Sequence, residues 1–204
     1  MRPNWTSVSQ LPPATVWRTP ETYTFPSQPH YGQLAPAQNT VIAFTRNVIG
    51  SMDYTPVSFT QQSIERFTTP AHEAALGIIF ESGIQHVSEA AAGLRKLPPP
   101  YRDYLRGLPV AWEETRLLAG YPSRDVVLAR RAGGRWYIGG INGEKTAKTL
   151  TFPVDALGLA GRTAQLLHDG PADAPFGAKS ITLPKSGNVS IDVSACGGFV
   201  LLLP

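Results

Sequence analysis

The sequence predicts an α+β protein whose first part is mostly helical and whose second part is an antiparallel β-sandwich. One observation is the stretch 74–80, which is apolar on every face of a helix and follows a helix-start signal at Thr69 and Pro70. The other is a change of pattern at Val110, after which short strand-like runs recur at near-regular spacing. Together these observations divide the chain into a helical part and a β part.

The composition is that of a globular protein. The 204 residues are 42% hydrophobic and 16% charged, which excludes a disordered, collagenous or coiled-coil chain. Such a length corresponds to one domain or two small ones. The net charge of +3 comes from scattered residues, so neither a nucleic acid nor a membrane surface is predicted as a partner.

The sequence carries few signals of location or of covalent chemistry. No apolar run approaches the roughly 18 residues of a membrane span, and the start at Met1 lacks the apolar stretch of a signal peptide. The single cysteine, Cys196, excludes an internal disulfide and a cysteine-built zinc site. A cellular location is therefore not predicted from the residues themselves.

The N-terminal segment is predicted to be irregular. Residues 1–38 are rich in proline and hold no helical or strand period, and residues 39–44 are predicted to form a short buried strand because they are β-branched and aromatic. A structureless segment of this length inside a compact domain indicates that it is disordered or normally packs against further protein.

Three helices are predicted between this segment and the β part. The first has Thr69 as its N-cap and Pro70 at its first position and runs over 71–87, and shorter ones cover 88–97 and 101–106. Because the first helix is apolar all round, it requires cover on most sides, more than a small domain readily supplies.

Eight strands are predicted after Val110. The C-terminal run 199–203 has no polar alternation, which is typical of a central strand covered on both faces or of a strand buried in an interface. The predicted strands are 111–118, 125–130, 136–141, 149–152, 163–168, 180–183, 189–193 and 198–203.

The residues alone show no metal or nucleophile signature. Each candidate acid has a structural role that outweighs a catalytic one; in particular, Glu73 would interact with a helix dipole, and His72 is expected to be a structural histidine. The neighbours Glu113 and Glu114 would point to opposite faces of a strand and so could not form a carboxylate pair. The candidate acids are Glu21, Asp53, Glu73, Glu81, Glu113 and Glu114.

Three aromatic residues leave a binding function open. Trp112, Trp136 and Tyr137 could form a face on which sugars stack, although aromatic residues of a sandwich more often belong to its core. The exposure of these rings distinguishes a carbohydrate-binding module from a packed core.

Several segments resemble glycoside hydrolase family 97. Residues 39–56, NTVIAFTRNVIGSMDYTP, are similar to a "pFTRnvvGsMDYTP" stretch of that family's catalytic barrel. Residues 72–86 resemble its "hElAl.vvfESglqh" helix, and residues 108–122 resemble its "lPt.WdeTrlldGyPg" entry into the C-terminal domain. The hairpin formed by 126–131 and 135–143 is similar as well, so the resemblance extends from about residue 38 to the C-terminus.

The resemblance implies an architecture and an activity. Members of this family are α-glycosidases, including α-glucosidases and α-galactosidases, with an N-terminal β-sandwich, a (β/α) barrel and a C-terminal β-sandwich associated with oligomerisation. They are typically periplasmic or secreted and calcium-dependent. The implied division is an irregular segment over 1–38, the end of the barrel over 39–109 and the C-terminal sandwich over 110–204. An α-linked glucoside or galactoside is the implied substrate of a full-length enzyme, and self-association is expected.

One catalytic residue is implied within this chain. The family has a segment like "EavrGaE" just before the matching block, and Arg18 and Glu21 occupy its matching positions, which makes Glu21 a possible general acid. Thr15 stands where the family has a calcium-ligand carboxylate, so no metal ligand is assigned here and calcium is not expected to bind this chain.

Glycoside hydrolysis requires two carboxylates on either side of the scissile bond. A full barrel needs about 250 residues, more than precede the predicted strands. We therefore expect a C-terminal fragment of an α-glycosidase that is inactive alone and whose intact unit is the oligomerisation sandwich. The alternatives are a carbohydrate-binding module and a protein-interaction sandwich without catalysis.

Overall fold

The computed structural model describes residues 29–52, 59, 66–83, 87 and 89–203. The helices are α1 (Pro29–Phe44), α2 (Arg46–Ile49), α3 (Pro70–Ile79), α4 (Ala91–Lys96) and α5 (Pro99–Arg106), with a 3-10 turn at Asp155–Leu157. The strands are β1 (Glu114–Tyr121), β2 (Asp125–Ala132), β3 (Arg135–Asn142), β4 (Lys148–Pro153), β5 (Thr163–Asp169), β6 (Phe176–Thr182), β7 (Asn188–Val193) and β8 (Gly198–Leu203). The α+β class with a C-terminal antiparallel sandwich is confirmed.

The strands form a large sheet and a small one. The large sheet has the order β1-β2-β3-β8-β5-β6, and β4 pairs with β7 in a separate two-stranded sheet. Every pair is antiparallel. The short strand-like runs in this region predicted all eight strands to within a few residues.

Both faces of the large sheet are buried, and successive side chains along each strand point to opposite faces. On β2, Val126 and Leu128 enter a core shared with the helices, which we call the helix side. Their neighbours Val127 and Ala129 enter a second core shared with β4 and β7, the β4–β7 side. The sheet is therefore the middle of three layers.

The C-terminal strand β8 shows why its sequence lacks polar alternation. Val200 packs on the helix side, whereas Phe199 and Leu201 pack on the β4–β7 side, and all three are fully buried. The prediction of a central strand covered on both faces is confirmed.

Helix α3 begins as its sequence indicates. Thr69 is the N-cap, its Oγ1 accepts a hydrogen bond from the backbone N–H of His72 at 3.2 Å, and Pro70 occupies the first turn. The helix ends at Ile79 rather than at residue 87 as predicted. Phe80 adopts an extended conformation, which lets the carbonyl of Glu81 accept a hydrogen bond from the Met52 N–H at 3.0 Å.

The cover of α3 comes largely from this chain itself. All ten of its residues are buried. The large sheet lies beneath it, and Tyr101 and Tyr104 of α5 and Ile42 of α1 belong to the same core. The expectation that a small domain does not readily supply this cover is wrong for the described residues, because the helix side of the sheet and the neighbouring helices provide it.

The N-terminal prediction is wrong in its described part. Residues 39–44 lie in α1, not in a strand, and α1 already begins at Pro29, where irregular chain was predicted to residue 38. Long-range packing decides here: a Cβ on Gly143 would lie 3.0 Å from both the Cα of Ala37 and the carbonyl oxygen of Pro36, so the helix runs directly over the chain after β3. Residues 1–28 lie outside the described residues.

The shorter helices match the prediction approximately. Helix α4 covers the middle of the predicted 88–97, and α5 begins two residues before the predicted 101–106. No helix in the described part of the chain is long and apolar enough to span a bilayer.

His72 fixes α3 to α1. Its side chain is fully buried, and its Nε2 lies 3.0 Å from the Nδ2 of Asn39. Burial is the largest cause that lowers the pKa of His72, to about 3, and the charge of Arg66 acts in the same direction. Hydrogen bonds with nearby backbone groups partly offset this shift. The imidazole is therefore neutral in the folded protein over the physiological range.

We expect this histidine to make the stability of the fold depend on pH. In the unfolded chain the pKa lies near 6.5, so between pH 6.5 and about 3 the unfolded state binds a proton that the folded state does not. The free energy of unfolding should fall as pH decreases from 6.5, by about 1.5 kcal/mol at pH 5. Urea denaturation at pH 6.5 and 5 should show a smaller decrease for His72→Gln than for the wild type, and equal decreases would contradict this assignment.

A second prediction concerns the close approach of α3 to β8. A Cβ on Gly198 would lie 2.8 Å from the Cα of His72 and 2.8 Å from the carbonyl oxygen of Gly140, both backbone atoms that move little. Gly198→Ala should therefore lower the free energy of unfolding by about 1–3 kcal/mol in urea denaturation. The control is Gly83→Ala, where nothing lies within 4 Å of the added Cβ and a change below about 0.5 kcal/mol is expected.

Candidate functional site

The residues proposed from the family resemblance are only partly within the described structure. Glu21, the possible general acid, and Asp53 lie outside the described residues. The role of Glu21 therefore stays a prediction. The other four candidate acids are described, and each has a structural partner.

Glu73 is a buried residue of the first turn of α3. Only 1% of it is exposed, and its carboxylate accepts a short hydrogen bond from the hydroxyl of Thr68. Its place at the helix N-terminus favours the negative charge through the helix dipole, as the sequence suggested. The geometry supports a structural role for this carboxylate.

Glu81 binds the most deeply buried cation of the described chain. The Nη1 of Arg130 lies 3.1 Å from Glu81 Oε2, and the guanidinium also donates from Nη2 to the carbonyl of Ile79 at 3.3 Å. The Arg130 side chain is only 2% exposed, and burial lowers its pKa while Glu81 partly offsets this effect. The pair joins the sandwich strand β2 to the segment that follows α3.

The same segment holds the chain after α2. The carbonyl of Glu81 accepts hydrogen bonds from the Met52 N–H at 3.0 Å and from Asn47 Nδ2 at 3.1 Å. Arg130 and the backbone of Glu81 thus connect the β part to the stretch that resembles the family's barrel. Sequence reasoning missed this link because the two residues are 49 positions apart.

Glu113 and Glu114 do not behave as the sequence predicted. Strand β1 begins at Glu114, so Glu113 precedes the alternation, and both carboxylates reach Arg131, at 3.3 and 3.2 Å. Glu114 also binds the Nε of Arg116 at 2.6 Å, and this hydrogen bond is the largest cause lowering the pKa of Glu114. Two arginines neutralise this pair, so a structural role remains the better account.

Asp169 is a partly buried acid that was not among the candidates from the sequence. Its Oδ2 accepts a hydrogen bond from the N–H of Gly198 at 3.2 Å, and burial raises the pKa of its carboxyl although Thr69, Gly198 and Ala71 donate to it. It thereby connects the end of β5 with the start of β8 and the N-terminus of α3. No local pattern marks it, because its environment arises only when these three elements meet.

The three candidate stacking residues do not share a face. Tyr137 and Trp112 form an edge-to-face pair on the helix side, with ring centroids 5.4 Å apart. Trp136 is 8% exposed and packs in the opposite core, on the β4–β7 side, with Arg116 over its ring. The rings therefore form no common platform, and a carbohydrate-binding module is not favoured.

Two of the cavities on the described surface lie beside the helices. A cleft of about 470 Å³ lies between α5 and the sheet and contains Asp103 as its only carboxylate. A groove of about 250 Å³ between the first two helices and β1–β2 contains Glu81 as its only carboxylate. Neither brings together the two carboxylates that glycoside hydrolysis requires.

The described residues bring no cluster of metal-binding side chains together either. Over 29–52, 59, 66–83, 87 and 89–203, no group of three or more His, Cys, Asp or Glu side chains is placed to hold a metal ion. The calcium that the family resemblance implies for a full-length enzyme stays a prediction.

Comparison with known proteins identifies the β part. The model of the family described as "Glycosyl-hydrolase 97 C-terminal, oligomerisation" matches residues 111–204, which include all eight strands. The match begins three residues before β1 and leaves the helices outside it. The division at residues 38 and 109 itself stays a prediction.

Curated relatives extend the similarity into the helices. A Streptomyces bingchenggensis protein named "Probable retaining alpha-galactosidase" is 38% identical over 164 residues, covering 80% of this chain and 25% of its own length. The Bacteroides thetaiotaomicron "Retaining alpha-galactosidase" is 27% identical over 177 residues, covering 80% of this chain and 26% of its own. The chain thus spans about a quarter of the length of the curated relatives it matches.

A solved structure shares the fold. The crystal structure of a β-arabinopyranosidase superposes with a TM-score of 0.78 at 26% sequence identity, over 85% of this chain and 28% of that one. The superposition therefore includes helices as well as the sandwich. By its family match, its curated relatives and this shared fold, the chain belongs to glycoside hydrolase family 97, of which it carries the C-terminal region.

Proposed function

We propose that this chain is the C-terminal part of an α-glycosidase and that its sandwich mediates self-association. The observation that carries the proposal is the family match described as oligomerisation, which spans every strand of the two sheets. The buried contacts of α3, Arg130 and Asp169 support it, because they attach the sandwich firmly to the segment that resembles the barrel.

An α-galactoside is the substrate class proposed for the full-length enzyme. The support is that two curated relatives are named as retaining α-galactosidases. In this proposal Glu21 is the general acid and a second carboxylate comes from outside the described residues. The sandwich carboxylates of Glu114 and Asp169 are held in an ion pair and a hydrogen bond, so no catalytic role is assigned to them.

Self-association can be measured directly on the 204-residue chain. Sedimentation velocity from 1 to 100 µM should show a dimer or larger species that dissociates on dilution. A chain that remains monomeric over the whole range would contradict the oligomerisation role. Bovine serum albumin at the same concentrations controls for non-ideality.

Hydrolysis provides a separate test. The chain alone should not hydrolyse p-nitrophenyl α-galactoside or α-glucoside with calcium present, because the resemblance supplies only one catalytic carboxylate, Glu21. The matched control is Glu21→Gln, which should give the same background rate. Turnover by the wild type that is lost in the variant would show that a second carboxylate acts within these 204 residues.

A further inference from the structure

The large sheet has two edge strands, β1 and β6, and their free edges differ in character. An edge strand presents unpaired backbone N–H and C=O groups that can pair with another strand. Natural proteins usually protect such an edge with lysine, proline or other polar residues. The two edges can therefore be compared as possible contact surfaces.

Strand β1 carries exposed apolar side chains. Leu117 is 54% exposed and Tyr121 is 67% exposed, and within the described strands they are the large hydrophobic residues that are exposed. Leu117 pairs with Leu128 and faces the helix side, whereas Tyr121 pairs with Asp125, which binds Lys148 of β4 on the other side. The exposed apolar side chains of β1 thus lie on both faces of the sheet.

The edge strand β6 is protected in the usual way. Pro175 immediately precedes it, and its exposed residues are polar or small, including Lys179 and Ser180. No large hydrophobic residue of β6 is exposed in the described structure. Burial of this edge by another apolar surface is therefore less favourable.

The charges of β1 are already neutralised within the chain. Glu114 binds Arg116 at 2.6 Å and Arg131 at 3.2 Å, and Arg116 donates to the carbonyl of Ala156 at 2.6 Å. Glu114 and Arg116 carry opposite charges, so the strand itself is formally neutral. Two copies of β1 would not repel each other, which is the charge relation that a self-complementary contact needs.

An apolar surface continues from Leu117 towards the helices. Leu117 lines the 250 Å³ groove together with Phe44, Val48 and Leu128, and Val48 is 74% exposed. A strand placed against β1 would cover part of this surface as well as the backbone edge. The register shift between Leu117 and Ala119 lies in the middle of β1, directly beside Leu117, so a contact there relies more on side-chain burial than on regular backbone pairing.

We propose that β1 is the surface through which a second copy of this chain binds. The inference rests on the self-association proposed above and adds its location. The two β1 strands lie antiparallel across a two-fold axis near Leu117, so that this residue meets its own counterpart. The burial of both leucines and tyrosines stabilises the contact, and backbone pairing adds to it on either side of the register shift.

The first test places a charge on this edge. The double variant Leu117→Lys/Tyr121→Lys should raise the dissociation constant of self-association at least tenfold in sedimentation velocity, with an unchanged thermal unfolding temperature at a concentration where both proteins are monomeric. The matched control is Val110→Lys, a residue that is 71% exposed and outside the strands, which should associate like the wild type. Unchanged association of the double variant would overturn the location.

The second test gives a positive signal. In a Cys196→Ser background, Leu117→Cys should form a disulfide-linked dimer on mild oxidation, whereas Ile49→Cys, at an 86% exposed position on α2, should not. Cross-linking at residue 49 but not at 117 would place the contact on α2 and overturn the proposal.

The two proposals fail in distinguishable ways. A wild type that associates, together with an unaffected double variant and no link at 117, rejects β1 alone. A monomeric wild type rejects self-association and the β1 contact together.

Discussion

The structure depends on the large sheet being apolar on both faces. Strands β3 and β8 lie at its centre, and their side chains alternate between two buried cores. Such a sheet cannot leave either face in water, because the exposure of so much apolar surface would outweigh a typical net stability. Helix α3 covers one face and the β4–β7 pair covers the other, and both covers are needed.

This constraint explains the contacts that attach the helical part to the strands. Gly198 permits the N-terminus of α3 to approach β8, Asp169 binds the backbone there, and Arg130 binds the segment where the helix has ended. The family match starts only at residue 111, yet the helix side of the sheet is closed by residues before it. Resemblance assigns those residues to the barrel, and packing makes them part of the sandwich's core as well.

Local patterns predicted those features that local physics determines. The strands follow from alternation, the continuous apolar run of β8 indicated cover on two faces, and Thr69 with Pro70 marked the start of α3. The patterns failed where distant residues decide. Residues 39–44 are β-branched yet helical because α1 packs over the chain near Gly143, and α3 ends at Ile79 because Glu81 pairs with the chain at Met52.

In the candidate site, too, local patterns predict some features, whereas contacts between distant residues decide others. Adjacent residues Trp136 and Tyr137 had to face opposite sides of a strand, so a shared aromatic platform could have been excluded from spacing alone. The partnership of Arg130 with Glu81, in contrast, has no local signal. The most direct test of this account compares residues 66–204 with residues 110–204 in urea denaturation and in binding of a hydrophobic dye. We expect the shorter chain to bind dye and to lose cooperative unfolding, because the helix side of its sheet is uncovered. Cooperative unfolding of 110–204 with the same free energy and no dye binding would contradict the account.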